Sequence, residues 1–258
     1  MPHTDQIQDL SEFLLEYATT LMGAGVHTNR AVRNISRIAA AYGYSADMTI
    51  FQRNITMSLI CNKDETLRRT SVRKLKPLAF NLNLIQQLSE LSWLPVDNNV
   101  SIAEMKQAFC SIMRTKRFSR WTDLLLVSVG NAAFCRLFAG DWWAMLTVFV
   151  ATMLGFWVKQ QLAHLKYNYL GITILSAFTA SMAAACAILF RVGNTPQIAL
   201  ATSVLFLVPG VQMINSIMDL MHGHILMGIS RGIHSIMMIA CIAIGLSATM
   251  LIVGVNSL

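Results

Sequence analysis

The sequence predicts an α-helical integral membrane protein, with about five transmembrane helices behind a small α+β cytoplasmic domain. Composition is the first ground: of 258 residues, 55% are hydrophobic and 13% charged, against about 25% charged in an ordinary soluble domain. Charge placement is the second: residues 1–120 carry 15 Lys and Arg and 10 Asp and Glu, while residues 121–258 carry only 5 and 3. The third is that the charge-poor part divides into five apolar spans. The chain therefore reads as a domain over 1–118 and a transmembrane domain over 119–258.

In the first part, Thr4 or Asp5 can cap a helix in which Ile7, Leu10, Phe13, Leu14, Tyr17 and Leu21 recur at helical spacing, until Gly23-Ala24-Gly25 stops it. A second helix is predicted from about Thr28 to Tyr42, with Ala31, Val32, Ile35, Ile38 and Ala39 inward and Arg30, Arg33 and Arg37 on a solvated face. Three short segments with β character follow, 48–53, 55–61 and 67–73, the last two joined by the polar turn Asn62-Lys63-Asp64-Glu65. Lys74, Lys76 and Pro77 lead into an amphipathic helix over 81–94, closed by Trp93-Leu94-Pro95. Ser101-Ile102-Ala103-Glu104 has the form of a capping box that opens a helix reaching about Arg114.

The predicted spans are 121–138, 142–158, 167–190, 196–218 and 232–256. The first is the most polar, with Asp123 near one end and Arg136 near the other. Trp121, Trp142, Trp143, Trp157, Tyr167 and Tyr169 stand at span ends, where an interfacial aromatic belt belongs. One side of the spans collects Arg114, Lys116, Arg117, Arg120, Lys159, Lys166 and Arg231; the other collects Arg136 and Arg191. That asymmetry puts the first domain in the cytoplasm and the C-terminus outside. The third span is rich in small residues from Ser176 to Ala185, suited either to close packing within the bundle or to a partner interface.

The fourth span organises the rest. From Val192 to Met218 there are 27 residues without a charge, more than the roughly 20 a helix needs to cross hydrocarbon, yet Pro209-Gly210 interrupts them. A break at membrane depth survives only where protein or a wet cavity covers the freed backbone. Beyond it Gln212, Asn215, Ser216, Asp219 and His222 fall at spacings of three and four, on one helical face. Either Asp219 marks the aqueous end of the helix, or the row lines a path for an ion or solute.

Across residues 1–118 no G-x-S-x-G, H-E-x-x-H or P-loop is present, so an enzyme is not expected. Gly23-x-Gly25 serves as a helix stop, and His27 beside it reads as a surface or cap residue. The five cysteines, Cys61, Cys110, Cys135, Cys186 and Cys241, include no C-x-x-C pair, so neither a disulfide framework nor a metal site is expected, and no cofactor. The basic residues ahead of the first span are a topology signal, not a nucleic-acid site. The polar, acidic opening MPHTDQIQDL carries no expected signal peptide.

Asn194-Thr195-Pro196, Val208-Pro209-Gly210, Ile214-Asn215, Asp219, Gly223-His224 and Gly228, with Gly23-Ala24-Gly25 followed by Arg30 and the stretch Phe134–Gly140, resemble the threonine/serine exporter family, in particular the larger, five-span subunit of its split form. The resemblance implies export of small hydrophilic metabolites across the bacterial inner membrane: threonine and serine, or dicarboxylates such as succinate. It implies a small second membrane subunit and an oligomer. Pro209, Gly210, Asn215 and Asp219 match the family's motif; with Gln212, Ser216 and His222 they are the candidate substrate- and ion-binding residues. The alternative is a membrane-anchored sensor whose cytoplasmic domain binds a ligand.

Overall fold

The structure is a computed structural model that describes residues 2–51, 53–75, 80–115, 119–165, 167–190 and 192–254. It is mostly helical, with a small antiparallel sheet near the N-terminus. The chain forms two compact units, one of Met1–Lys116 with Val211–Gly232, the other of Arg117–Gly210 with Ile233–Leu258.

In the first unit, α1 (Pro2–Gly23) and α2 (Thr28–Ala41) precede strands β1 (Tyr44–Ile50), β2 (Asn54–Cys61) and β3 (Arg68–Lys74). α1 begins earlier than a Thr4 or Asp5 cap implies: Pro2, with its fixed φ, is already helical. The strands form an antiparallel meander in the order β1-β2-β3, with Met57 facing Met48 on one side and Ser71 on the other. β1 starts four residues before the predicted segment, at Tyr44, because the alternation of buried and open positions already runs through Tyr44, Ala46 and Met48. On β2, Ile55, Met57 and Leu59 are buried; β3 keeps Arg69 and Arg73 on an edge that such charges shield from further pairing.

α3 (Leu82–Leu91) is capped by Asn81, whose Oδ1 accepts from Leu84 N at 3.1 Å. The predicted 81–94 helix is divided, since Trp93-Leu94-Pro95 does not close it but opens a short α4 (Leu94–Asn98). α5 (Ile102–Met113) carries the reciprocal capping box of Ser101 and Glu104. Lys76, Pro77, Lys116 and Arg117 lie outside the described residues. One core joins these elements: Leu10, Leu14, Tyr17 and Leu21 of α1 with Ile35, Ile38, Ile55, Leu59, Leu88 and Met105, and Met227 from much later in the chain. Tyr17 donates to Leu88 O at 2.6 Å and accepts from Asn34 Nδ2 at 3.2 Å, so its buried hydroxyl is satisfied. The arginine face of α2 is open to solvent at Arg30 and Arg33 and half-buried at Arg37, and two of the three have side-chain partners. Arg30 Nε donates to Ser89 Oγ at 3.0 Å, and Arg37 donates to Ser92 Oγ while its guanidinium lies 3.7 Å from the Trp93 ring centroid.

The second unit holds α6 (Arg120–Leu137), α7 (Trp142–His164), α8 (Tyr169–Leu189), α9 (Pro196–Thr202) with a 3-10 turn over Leu205–Leu207, and the larger part of the last helix. Two helices complete the chain, α10 (Gly210–Met221) and α11 (Ile225–Val253). Among the described residues, α7, α8 and α11 are long and apolar enough to cross a membrane, and the broken pair Pro196–Leu207 with Gly210–Met221 makes a fourth candidate. α6 is helical but carries Asp123, Ser128, Asn131 and Arg136, too polar to join them on composition alone. Lys166 and Arg191 lie outside the described residues. The small residues of the third span face inward: Ser176, Ala177, Ala180, Ser181, Ala184 and Ala185 of α8 are buried, and Ser181 Oγ lies 2.6 Å from Thr249 Oγ1 of α11.

Candidate functional site

The candidate residues begin at the break. Val208 precedes a proline, which disfavours helical backbone for it; its φ is −61° and ψ 125°, extended. Pro209 is buried, and Gly210 starts α10. These two residues belong to the second unit. Gln212, Asn215, Ser216, Asp219 and His222 belong to the first, where their surroundings are given by α10, the turn after it and the Gly25–Thr28 turn.

That turn after α10 is a Schellman closure: His224 N donates to Asp219 O at 2.8 Å and Gly223 N to Leu220 O at 3.1 Å. Gly223 stands at φ +82°, which a side chain would resist. α11 then returns against α10. Ser216 Oγ donates to Gly228 O at 2.7 Å, and a Cβ on Gly228 would stand 2.9 Å from Ser216 O. The two helices touch backbone to backbone.

The polar face of α10 meets the loop between α1 and α2. Asn215 Nδ2 donates to Gly25 O at 2.7 Å. Thr28 N, at the start of α2, donates to Asp219 Oδ1 at 2.7 Å. Asp219 Oδ2 pairs with Arg231 of α11 at 3.0 Å, and Arg231 also donates to Val26 O at 2.9 Å. The Asp219 side chain is 0% exposed and that of Arg231 14%. A carboxylate at a helix N-terminus, paired with a guanidinium, is a charge that burial tolerates. Arg231, Thr28, Gly25 and Val26 were not among the candidate site residues read from sequence. A signal for Arg231 existed: it and Asp219 are the only Lys, Arg, Asp or Glu from Val192 to Val253, and they flank a glycine turn.

Gln212 is half-buried, and its Oε1 has no hydrogen-bond partner among the described residues. His222 is exposed, its Nδ1 lies 2.7 Å from Met218 O, and its ring stacks on that of His27 at 6.0 Å. Asn215, Ser216 and Asp219 therefore have protein partners, while Gln212 and His222 stand at the two ends of the row. The opposite face of α10 leaves Ile214, Ile217 and Met221 exposed.

His27 caps α2, its Nδ1 accepting from Arg30 N at 3.3 Å. Burial pushes its pKa below the usual imidazole value, with Asp219 pulling the other way and His222, Arg30 and Arg231 reinforcing the drop. A depressed base binds its proton more readily in the unfolded chain. The folded state therefore holds its full stability above the ordinary histidine pKa of about 6.5 and loses stability as pH falls through it. Protonation also removes the lone pair that makes the cap. His27→Asn keeps an acceptor at this position without titrating. Thermal melts from pH 7.5 down to 5 should show the parent losing more stability than His27→Asn; parallel curves would refute the assignment.

The described residues contain no group of three or more His, Cys, Asp or Glu placed to hold a metal ion. What the arrangement can do is hold: it anchors a helix that follows a proline break by one buried ion pair and three hydrogen bonds with backbone groups.

Comparison with known proteins gives the chemical context. Residues 12–253 match the family model ThrE, described as "Putative threonine/serine exporter". A protein of Escherichia coli K12 named "Probable succinate transporter subunit YjjP" is 28% identical over 254 residues, covering 95% of this chain and 96% of that protein. Its namesake in Klebsiella aerogenes is 26% identical over 244 residues, covering 93% of each. No solved structure matches.

Proposed function

We propose, from the premise that this chain belongs to the threonine/serine exporter family, that it is the larger subunit of an inner-membrane secondary transporter exporting a small hydrophilic metabolite. Membership in that family makes it a membrane transporter protein for small metabolites rather than an enzyme. The observation that carries the reading is the extent of the match, which runs through both compact units.

The substrate is a dicarboxylate of the succinate type, as the names of the two relatives suggest, or a hydroxy amino acid, as the family's name suggests. A small second membrane subunit completes the pathway, in an oligomer with this chain, and an ion gradient drives export. α6 is the fifth span, its polar side chains facing the bundle: Ser128, Asn131 and Cys135 are buried in it. The N-terminal domain, residues 1–118, lies in the cytoplasm. In support, Arg114, Arg120, Lys159 and Arg231 fall on one side of the spans and Arg136 on the other. The end of α10 and the start of α11 also pack with the N-terminal residues, which supports placing them at the cytoplasmic face.

Pro209, Gly210, Gln212, Asn215, Ser216, Asp219 and His222 form the moving part in this reading. The proline break lets α10 shift, and Asp219 leaving Thr28 and Arg231 opens a polar face to solute. Cells expressing the chain with its partner subunit, loaded with threonine, serine or succinate, test it. Export of one of these is expected, and Asp219→Asn should abolish it. The double variant Asp219→Asn/Arg231→Gln, which leaves no lone buried charge, should restore protein level but not export. Unchanged export in Asp219→Asn would remove this residue from the mechanism, and no export of any of the three would sink the substrate class.

A further inference from the structure

A second polar cluster lies wholly within the second unit. Asn131 of α6 is buried, and its Nδ2 is surrounded by three oxygens: Thr152 Oγ1 of α7 at 2.6 Å, Thr202 O at 3.2 Å and Ser203 O at 3.5 Å. The two carbonyls stand where α9 ends and the backbone changes to the 3-10 turn before Pro209. Thr152 and Ser203 are fully buried, Asn131 and Thr202 nearly so. An amide nitrogen has two protons for these three acceptors. On its other side, Asn131 Oδ1 accepts from no donor among the described residues, and Thr152 makes no other side-chain hydrogen bond.

We propose that this socket of oxygens, formed by Asn131, Thr152 and the carbonyls of Thr202 and Ser203, is a binding site for a monovalent cation. Unwound carbonyls at a broken helix are the groups with which membrane proteins replace an ion's hydration shell. Here an NH2 group occupies the position a cation would take. A cation entering there pushes the amide back, and turning the Asn131 amide by half a rotation exchanges nitrogen for Oδ1 on the side facing the ion, a fourth oxygen. Without a cation the exchange sets oxygen against oxygen and is unfavourable; with one it completes the shell. The amide is thus the plug of the empty site and a ligand of the filled one. No Asp or Glu is in the cluster, so nothing there offsets a double charge, and the site is for a single one. Na+ as a coupling ion and the ammonium group of an amino-acid solute share this chemistry. The transport consequence rests on the proposed function; the binding does not.

The test is the thermal stability of the purified full chain in detergent, titrated with NaCl, KCl or methylammonium chloride against choline chloride at equal ionic strength. One of the three should raise the melting temperature saturably. Na+ alone would identify a coupling ion, and methylammonium alone a solute ammonium. Thr152→Val, which keeps shape and removes one oxygen, should weaken the half-saturating concentration by about tenfold, the effect of roughly 1.4 kcal/mol. Asn131→Asp, which keeps Oδ1 and adds a charge, should strengthen it. A protein that melts alike in all four salts overturns the proposal, as does a salt response that both variants leave unmoved. Because this reads binding, a failed transport assay leaves it standing, and a flat melt leaves transport standing.

Discussion

Arg231→Ala is expected to cost about 3–5 kcal/mol of folding stability, because it strands a fully buried carboxylate without its cation. Asp219 is fully buried, and after the loss of Arg231 only Thr28 N would remain as its donor among the contacts described. Asp219→Ala should cost a similar amount for the converse reason, with the start of α2 losing its acceptor as well. Removing both charges should cost clearly less than the sum of the two single changes, leaving a coupling of about 0.5–3 kcal/mol. Denaturation of the four proteins in detergent gives the cycle. Hydrogen exchange at Thr28 adds a local reading, since its amide should lose protection in the Asp219 variant. Additive losses, or single changes that cost under about 1 kcal/mol, would mean the pair behaves as a surface ion pair.

The cycle matters because the pair was half legible in the sequence. Spacing put Gln212, Asn215, Ser216, Asp219 and His222 on one face of a helix; it cannot say what the face meets. Thr28 is 191 positions from Asp219, and nothing local to either residue records that distance. Where partners are near in sequence the reading was fuller. The Ser101–Glu104 box, the Asn81 region and the apolar row from Ile7 to Leu21 each form within a turn or two of chain, and each is present. The arginines of α2 again show the limit: their own periodicity points outward, but Ser89, Ser92 and Trp93 reach them from α3 and the residues after it. Asn131 was passed over for the opposite reason. Its polarity counts against α6 as a span, whereas burial against a broken helix turns the same polarity into a site.

Gly245→Leu is the second large effect, and it separates packing from propensity within one bundle. A Cβ at Gly245 of α11 would stand 2.7 Å from Ile174 O and 2.9 Å from Phe178 N of α8. Both neighbours are backbone, so no rotamer change can make room, and the helices must part. Parting them also stretches the contact of Ser181 Oγ with Thr249 Oγ1, now 2.6 Å, one turn further along α11. Without a hydrophobic driving force between helices in lipid, close approach at small residues is the main source of association. Overpacking of this kind costs about 1–3 kcal/mol or more, and even Gly245→Ala should lower the melting temperature. Gly171 of α8 supplies the contrast, since nothing lies within 4 Å of a Cβ built there. Gly171→Ala should be neutral or stabilising, by up to about 1 kcal/mol, through the entropy a helical glycine forfeits. Opposite signs for the same chemical change at these two positions are the expected result. Equal effects would mean that α8 and α11 are not in contact at Gly245 in the folded protein.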